Sequence, residues 1–437
     1  MCEILQALRD PLKDIESEYV KNTDDIYKAA EPTLSDMPVE IILKICSFLD
    51  CHFLKYTFSR VCTRFEDILA DDHLWKYWVN NKMNGCFPAL PNLKIWDEVQ
   101  IDWEEVCVEI DSEKKKWTDV ENTTQHIIIK DVHYASVDAV LLLNKGETCI
   151  SGGRDRSLAM WNILEMRSDI DNKPTKMRHD AHAGWVWDLA ADNTDCASIV
   201  YSASWDNTVK AWDLGAEFSC VETFRCGMTA LSVVAWNNIV MAGLYSNKVL
   251  SFDLRSGPNP ISFYKPHKGP ILALSAYKNM VASVSEDKTL AIWDRVAGKM
   301  IKHNIKIPKE KQYPVCVNMN SSAIYVGDST GSLHVFSPED FVYIRSHEIW
   351  KETPIVEPSH KIAGCYQSKG NMILCSDQGE VKFLYNCYPP QEYCSIKTTT
   401  VDVTKLQYQN GILAVGTCDN ALEFWTPKEE AQSTDNI

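Results

Sequence analysis

Long apolar runs are missing from these 437 residues. The longest, such as Val140 to Leu143, fall far short of the roughly 20 apolar residues that a membrane-spanning helix needs. Positive charge is scarce too. Lys and Arg number 44 against 60 Asp and Glu, and a net charge of −16 argues against a broad nucleic-acid-binding face, which depends on clustered Lys and Arg. Neither nucleic acid nor membrane is therefore an expected partner. The N-terminus, MCEILQALRD, interrupts any apolar core with charges, so no export signal is read there and the expected location is intracellular, cytoplasmic or nuclear or both. Among sixteen cysteines there is no Cys-x-x-Cys pair, and Cys46, Cys149 and Cys375 sit inside apolar helix or strand patterns. They read as buried free thiols in a reducing compartment, not as a disulfide framework. His-x₃-His metal spacing is also lacking. No catalytic residue, metal or cofactor is expected.

What is present is a repeat. Seven times a stretch of small and polar residues runs into an apolar strand that ends at Trp or a substitute. The clearest copies are Gly152 to Ile163, Ser202 to Leu214 and Ser283 to Arg295. The residues at the Trp position are numbers 161, 212, 252, 293, 336, 384 and 425, with steps of 51, 40, 41, 43, 48 and 41. Apolar, β-branched strands alternate with Asp-containing turns, and Asp suits such turns because it bonds its own backbone. A period near forty with an Asp six residues before a Trp is similar to WD repeats, each of which supplies one four-stranded propeller blade.

Three copies place His, Ser, Asp and Trp at the spacings of the WD-repeat hydrogen-bonded tetrad: His133, Ser151, Asp155 and Trp161; His182, Ser202, Asp206 and Trp212; His267, Ser283, Asp287 and Trp293. A Ser, a His and an Asp invite a hydrolase reading. Recurrence decides against it, because a catalytic site occurs once and a scaffold element repeats, here each time beside a Trp whose N–H needs an acceptor. The third, fifth and sixth copies are degenerate; the third carries Cys226, Ala242 and Ser246 instead. WD repeats are offset from their blades, and the polar residues after Trp425 offer no last strand. The β-branched stretch Gln125 to Lys130 is expected to supply it and so hide a sheet edge.

Ahead of the repeats, residues 34 to 76 read as a small helical unit. Pro38 stands at a helix start with Glu40 in the first turn, and Ile41, Ile42, Ile45, Phe48 and Leu49 follow with helical periodicity. Two further short helices are expected between Phe53 and Leu69. A unit of roughly forty residues buries little core alone, so one apolar face should need a partner. The stretch resembles the F-box, through Leu34, Pro38 and Glu40; Ile45 and Leu49; Val61, Cys62, Arg64 and Phe65; and Asp72, Leu74, Trp75 and Lys76. Between the modules, Trp103, Cys107, Ile110 and Trp117 share one face of a predicted connecting helix.

The whole chain thereby resembles the F-box/WD-repeat substrate receptors. The expected fold is a small all-α F-box three-helix module and a helical linker, followed by an all-β seven-bladed WD-repeat propeller. Expected boundaries are 1–32 for a partly helical or disordered N-terminal segment, 33–78 for the F-box, 79–123 for the linker, 124–427 for the propeller with 124–130 as its closing strand, and 428–437 for a flexible tail. The resemblance implies a non-catalytic subunit of an SCF-type cullin–RING ubiquitin ligase, docked on the Skp adaptor and through it on the cullin and RING subunits. It implies adaptor contacts from Pro38, Ile41, Ile42, Ile45, Leu54, Val61 and Leu74, with those facing the module's own core left undistinguished. It also implies a protein or peptide substrate at the rim of the propeller channel, where the corresponding positions hold Trp185, Trp187, Trp205, Tyr245, Arg154, Asp138 and Glu286. Phosphodegron reading calls for several Arg, and only Arg154 qualifies. The aromatic patch favours an apolar or cationic segment instead.

Overall fold

The computed structural model describes residues 33–93, 101–166, 173–308, 312–350 and 360–428. The expectations for segment 1–32 and for residues 429–437 lie outside these.

The helices α1 (Val39–Cys46), α2 (Cys51–Tyr56), α3 (Thr63–Leu69) and α4 (Asp72–Met83) come first among the described residues. Pro38 stands at the N-cap position of α1, and the Asp50 carboxylate caps α2 by accepting from the His52 and Phe53 amides. The long linker helix α5 (Trp103–Thr118) opens on an equivalent cap, Asp102 accepting from Glu105. Its apolar stripe of Val106, Cys107, Ile110 and Trp117 is buried. The expected boundary at residue 78 falls inside α4, because Trp78, Val79 and Met83 complete the same core as the earlier helices.

Seven four-stranded antiparallel sheets follow among the described residues, arranged as propeller blades. Each of the first six blades takes four consecutive strands; blade 2, for example, comprises Val186–Ala191, Ile199–Ser204, Thr208–Asp213 and Ser219–Arg225. Blade 7 differs. Its outer strand is Thr124–Ile129, which precedes blade 1 in the chain and pairs antiparallel with the last strand, Leu422–Pro427. His126 stacks on Trp425 at 4.3 Å and donates through Nε2 to the buried Glu423 carboxylate at 2.9 Å. Inner strands of neighbouring blades pack around a central channel of about 820 Å³.

The helical module is welded to the propeller. One continuous apolar core runs from Ile42, Leu54, Phe65 and Trp75 through Val106, Cys107 and Ile110 of α5 to Tyr385 and Cys387 of blade 6. Polar bonds fix its register. Glu109 accepts from the Gly370 amide (3.3 Å) and the Asn371 side chain (3.1 Å), and Lys82 pairs with Asp111 at 2.7 Å. Glu113 accepts from the Trp117 indole at 2.9 Å and from the Tyr408 hydroxyl at 2.5 Å.

Candidate functional site

The recurring His, Ser, Asp and Trp sit inside the blades. In blade 2 a chain of bonds runs from the Trp212 indole N–H to Ser202 Oγ (2.8 Å), on to His182 Nε2 (2.7 Å), and from His182 Nδ1 to Asp206 (2.8 Å). Burial pushes the His182 imidazole below its ordinary value, against the opposing pull of Asp206. A neutral ring then accepts from Ser202 and donates to Asp206. Burial would raise the Asp206 carboxyl, but bonds from His182 and Thr208 outweigh it and hold the group well below the usual carboxylate range. Blade 1 repeats the chain through Trp161, Ser151, His133 and Asp155.

Blade 4 departs from this pattern. His267 meets Ser283 at 3.0 Å and Asp287 at 3.3 Å, but the Ser283 hydroxyl donates to Ala291 O, and Trp293 lies flat on Tyr264 at 4.0 Å. Tyr264, from the outer strand of blade 3, gives the indole a stacking partner in place of a hydroxyl acceptor. Blades 5, 6 and 7 carry other fasteners. His334 bonds Asp328 in blade 5 at 3.1 Å, the Trp350 indole donates to Glu380 of blade 6 at 2.6 Å, and Glu423 of blade 7 accepts from Thr399 as well as meeting His126.

At the channel mouth the structure brings together the predicted aromatics. Trp205 occupies the turn after the second strand of blade 2 and Trp185 the approach to its first strand. Ring centroids lie 5.1 Å apart for Trp185–Trp205, 5.6 Å for Trp187–Trp205 and 6.0 Å for Trp205–Tyr245. Trp185, Trp205 and Tyr245 are exposed, while Trp187 is half-buried and lines the channel. Glu286 is exposed on the corresponding turn of blade 4. Asp138 is not available to a ligand: it is buried, and Arg154 pairs with it through Nε at 2.8 Å and Nη2 at 3.2 Å. That pairing raises the Arg154 pKa and lays the guanidinium over Trp185 (5.1 Å) and Trp187 (5.5 Å).

The helical module offers a second surface, and here the sequence reading needs correction. Ile42 and Leu54, 0% and 1% exposed, belong to the shared core and cannot touch a partner. Ile45 and Leu74 are half-buried, and Leu74 packs against the same core. Pro38, Ile41 and Val61 are exposed, Val61 by 65%. Phe48, placed by the sequence in the helical periodicity but not among the adaptor contacts, is 78% exposed, and Leu34, Met37 and Phe53 are exposed as well. The signal was in the spacing. α1 and the turn that follows it carry two apolar stripes, Ile42, Cys46 and Leu49 turned inward, and Ile41, Ile45 and Phe48 beside them. Arg64 steadies this surface by donating to the carbonyls of Ser35 and of Met37, the latter at 2.8 Å.

The linker helix meets the propeller at the end of the blades away from the aromatic rim. α5 meets the turns at residues 368–370 and 409–411, which join first to second strands. The aromatic rim lies at the other end of such strands, about 20 Å away for six residues of strand.

Known proteins combine the same parts. Residues 34–79 match the F-box-like family model, and residues 173–213 and 258–294 match the WD domain, G-beta repeat model. Human F-box/WD repeat-containing protein 9 is 28% identical over 402 residues, covering 91% of this chain and 83% of that protein. F-box/WD repeat-containing protein mec-15 of Caenorhabditis elegans is 24% identical over 421 residues, covering 91% and 97%. The crystal structure of the RRP9 WD40 repeats superposes with a TM-score of 0.60 at 11% identity, covering 70% of this chain and all of that one, which is a likeness of fold. This chain thus joins an F-box-like module to a seven-bladed WD-repeat propeller, the combination recorded in the names of its full-length relatives.

Proposed function

We propose that this chain is the substrate-recognition subunit of an SCF-type cullin–RING ubiquitin ligase. Its F-box-like module docks on the Skp adaptor, and its propeller presents a client protein through the channel rim. Ubiquitin transfer belongs to partner subunits; the polar clusters inside the blades act as fasteners, not as a catalytic site. The observation that carries this reading is the welded arrangement: an uncovered apolar surface on α1 and its flanking loops, joined through one core to a propeller whose aromatic rim lies at the blade end away from α5. Such a body holds a client at a fixed position relative to the adaptor, as transfer by a separate enzyme requires. The direct test is adaptor capture by the full chain against an Ile41→Glu/Phe48→Glu variant. The variant should lose capture with an unchanged melting midpoint. Absence of adaptor binding by the wild-type chain would leave a non-ligase WD-repeat scaffold with an F-box-like helical cap.

A further inference from the structure

The rim can be read further than "a client binds here". The rings around Trp205 stand 5.1 to 6.0 Å apart and tilt by 41 to 52°, which is mutual contact. They form a ledge, with no slot between them for an inserted cation. The cation position on Trp185 and Trp187 is already filled, because Arg154 covers both rings and is anchored by the buried Asp138 carboxylate. An external ammonium or guanidinium would have to displace a paired arginine. What stays open is the aromatic surface of Trp205 and Tyr245, 38% and 53% exposed, with Met228 exposed on the loop that Tyr245 joins through its amide bond to Thr229 O. That surface fits an uncharged, broad side chain.

Charge defines the neighbouring part. On the other side of Arg154, the turn at Cys418 lines the same channel mouth and is tied to Asp402 by the Cys418 amide. Asp402 and Asp419 are both exposed there, and neither has an ion pair among the described residues. Blade 4 adds one exposed group of each sign, Lys268 and Glu286. Arg156, the other rim arginine, is engaged with Asp180 at 2.8 Å. Two uncompensated carboxylates beside a pinned arginine attract a basic residue and repel phosphate.

We propose that the rim captures an unphosphorylated client segment in which a large apolar, preferably aromatic, side chain is followed or preceded by Lys or Arg, the first resting on Trp205 and Tyr245 and the second facing Asp402 and Asp419. This assignment rests on the receptor reading above.

The experiment is a peptide-display selection against the full chain, scored alongside adaptor capture by the same preparation. Enriched peptides should pair an aromatic or large aliphatic residue with a basic one. Replacing either residue in an enriched ten-residue peptide, the aromatic by Ala or the basic by Glu, should weaken binding about tenfold or more. Trp205→Ala/Tyr245→Ala should abolish the selection, and Asp402→Lys/Asp419→Lys should remove the basic preference alone. Melting midpoints check that these exposed substitutions leave the fold intact. Enrichment of acidic or phosphate-dependent peptides, enrichment unchanged by the aromatic double substitution, or no enrichment at all would overturn the assignment. If adaptor capture fails while this selection succeeds, the rim assignment stands and only the ligase reading falls.

Discussion

The weld between linker and propeller can be probed at a single contact. Gly370 lies in the turn between the first two strands of blade 6, and a Cβ placed there would sit 2.8 Å from Ile110 Cγ1. Its φ lies outside the left-handed region, so an alanine at this position is opposed by Ile110 and not by the backbone. Gly370→Ala should therefore overpack the seam at a cost of about 1–3 kcal/mol. Ile110 is fully buried, and Ile110→Ala removes three carbons at a cost of roughly 2–5 kcal/mol. Together the two changes oppose each other, because the new methyl at position 370 enters the space that Ile110 vacates. The double variant should then be less destabilised than the sum of the singles by about 1–2 kcal/mol. Urea unfolding of the four chains, followed by tryptophan fluorescence, measures the coupling, and hydrogen exchange of α5 amides locates it. Additivity to within about 0.5 kcal/mol would refute the idea that this contact holds the helical module on the propeller.

Three other outcomes follow from the packing. Ile42→Ala should lower stability by about 2–5 kcal/mol, whereas Phe48→Ala should shift it by no more than about 0.5 kcal/mol while weakening adaptor capture; equal melting losses for the two would contradict the separation of inner and outer stripes on α1. Trp212→Phe, which leaves Ser202 without its donor, should cost about 1–3 kcal/mol more than Trp293→Phe, where stacking on Tyr264 survives. On the acid side the signs agree: His182 lies below its ordinary 6.5 when folded and Asp206 below 3.8, so each contributes stability that is complete above its ordinary value and lost as pH falls below it. The wild-type melting midpoint should decline from about pH 6.5 downward, and His182→Gln/Asp206→Asn should flatten that decline; an unaltered slope would count against the assigned protonation states.

Much of the fold was legible because its signals are local. An Asp turn six residues before a Trp, recurring at a period near forty, needs no tertiary information, and a β-branched segment without a partner at one end of the repeat array points to the strand missing at the other. The limits appeared wherever burial depends on distant residues. Nothing near Ile42 or Leu54 states that α5, some fifty residues later, will cover them; Cys51 and Cys107, 3.1 Å apart at that junction, come from separate helices. Trp293 illustrates the same limit, since its neighbour Tyr264 comes from the adjacent blade. At the rim, spacing picked out aromatics that the fold clusters, whereas the pairing of Arg154 with Asp138 and its place over the tryptophans depend on tertiary contacts that no local pattern signals.

Blade 7 has a consequence for the order in which the molecule is made. Its outer strand, Thr124–Ile129, leaves the ribosome before blade 1, and its partner, Leu422–Pro427, follows about 300 residues later. Until that partner emerges the early strand can only wait, with a half-formed ring growing behind it. α5 and a short turn of helix, Val120–Thr123, lead directly into the waiting strand, and the last described residue, Lys428, bonds back to Thr123 O. Closure of the ring therefore waits for the strand Leu422–Pro427, and the same pairing ties the last blade to the segment that leads out of α5.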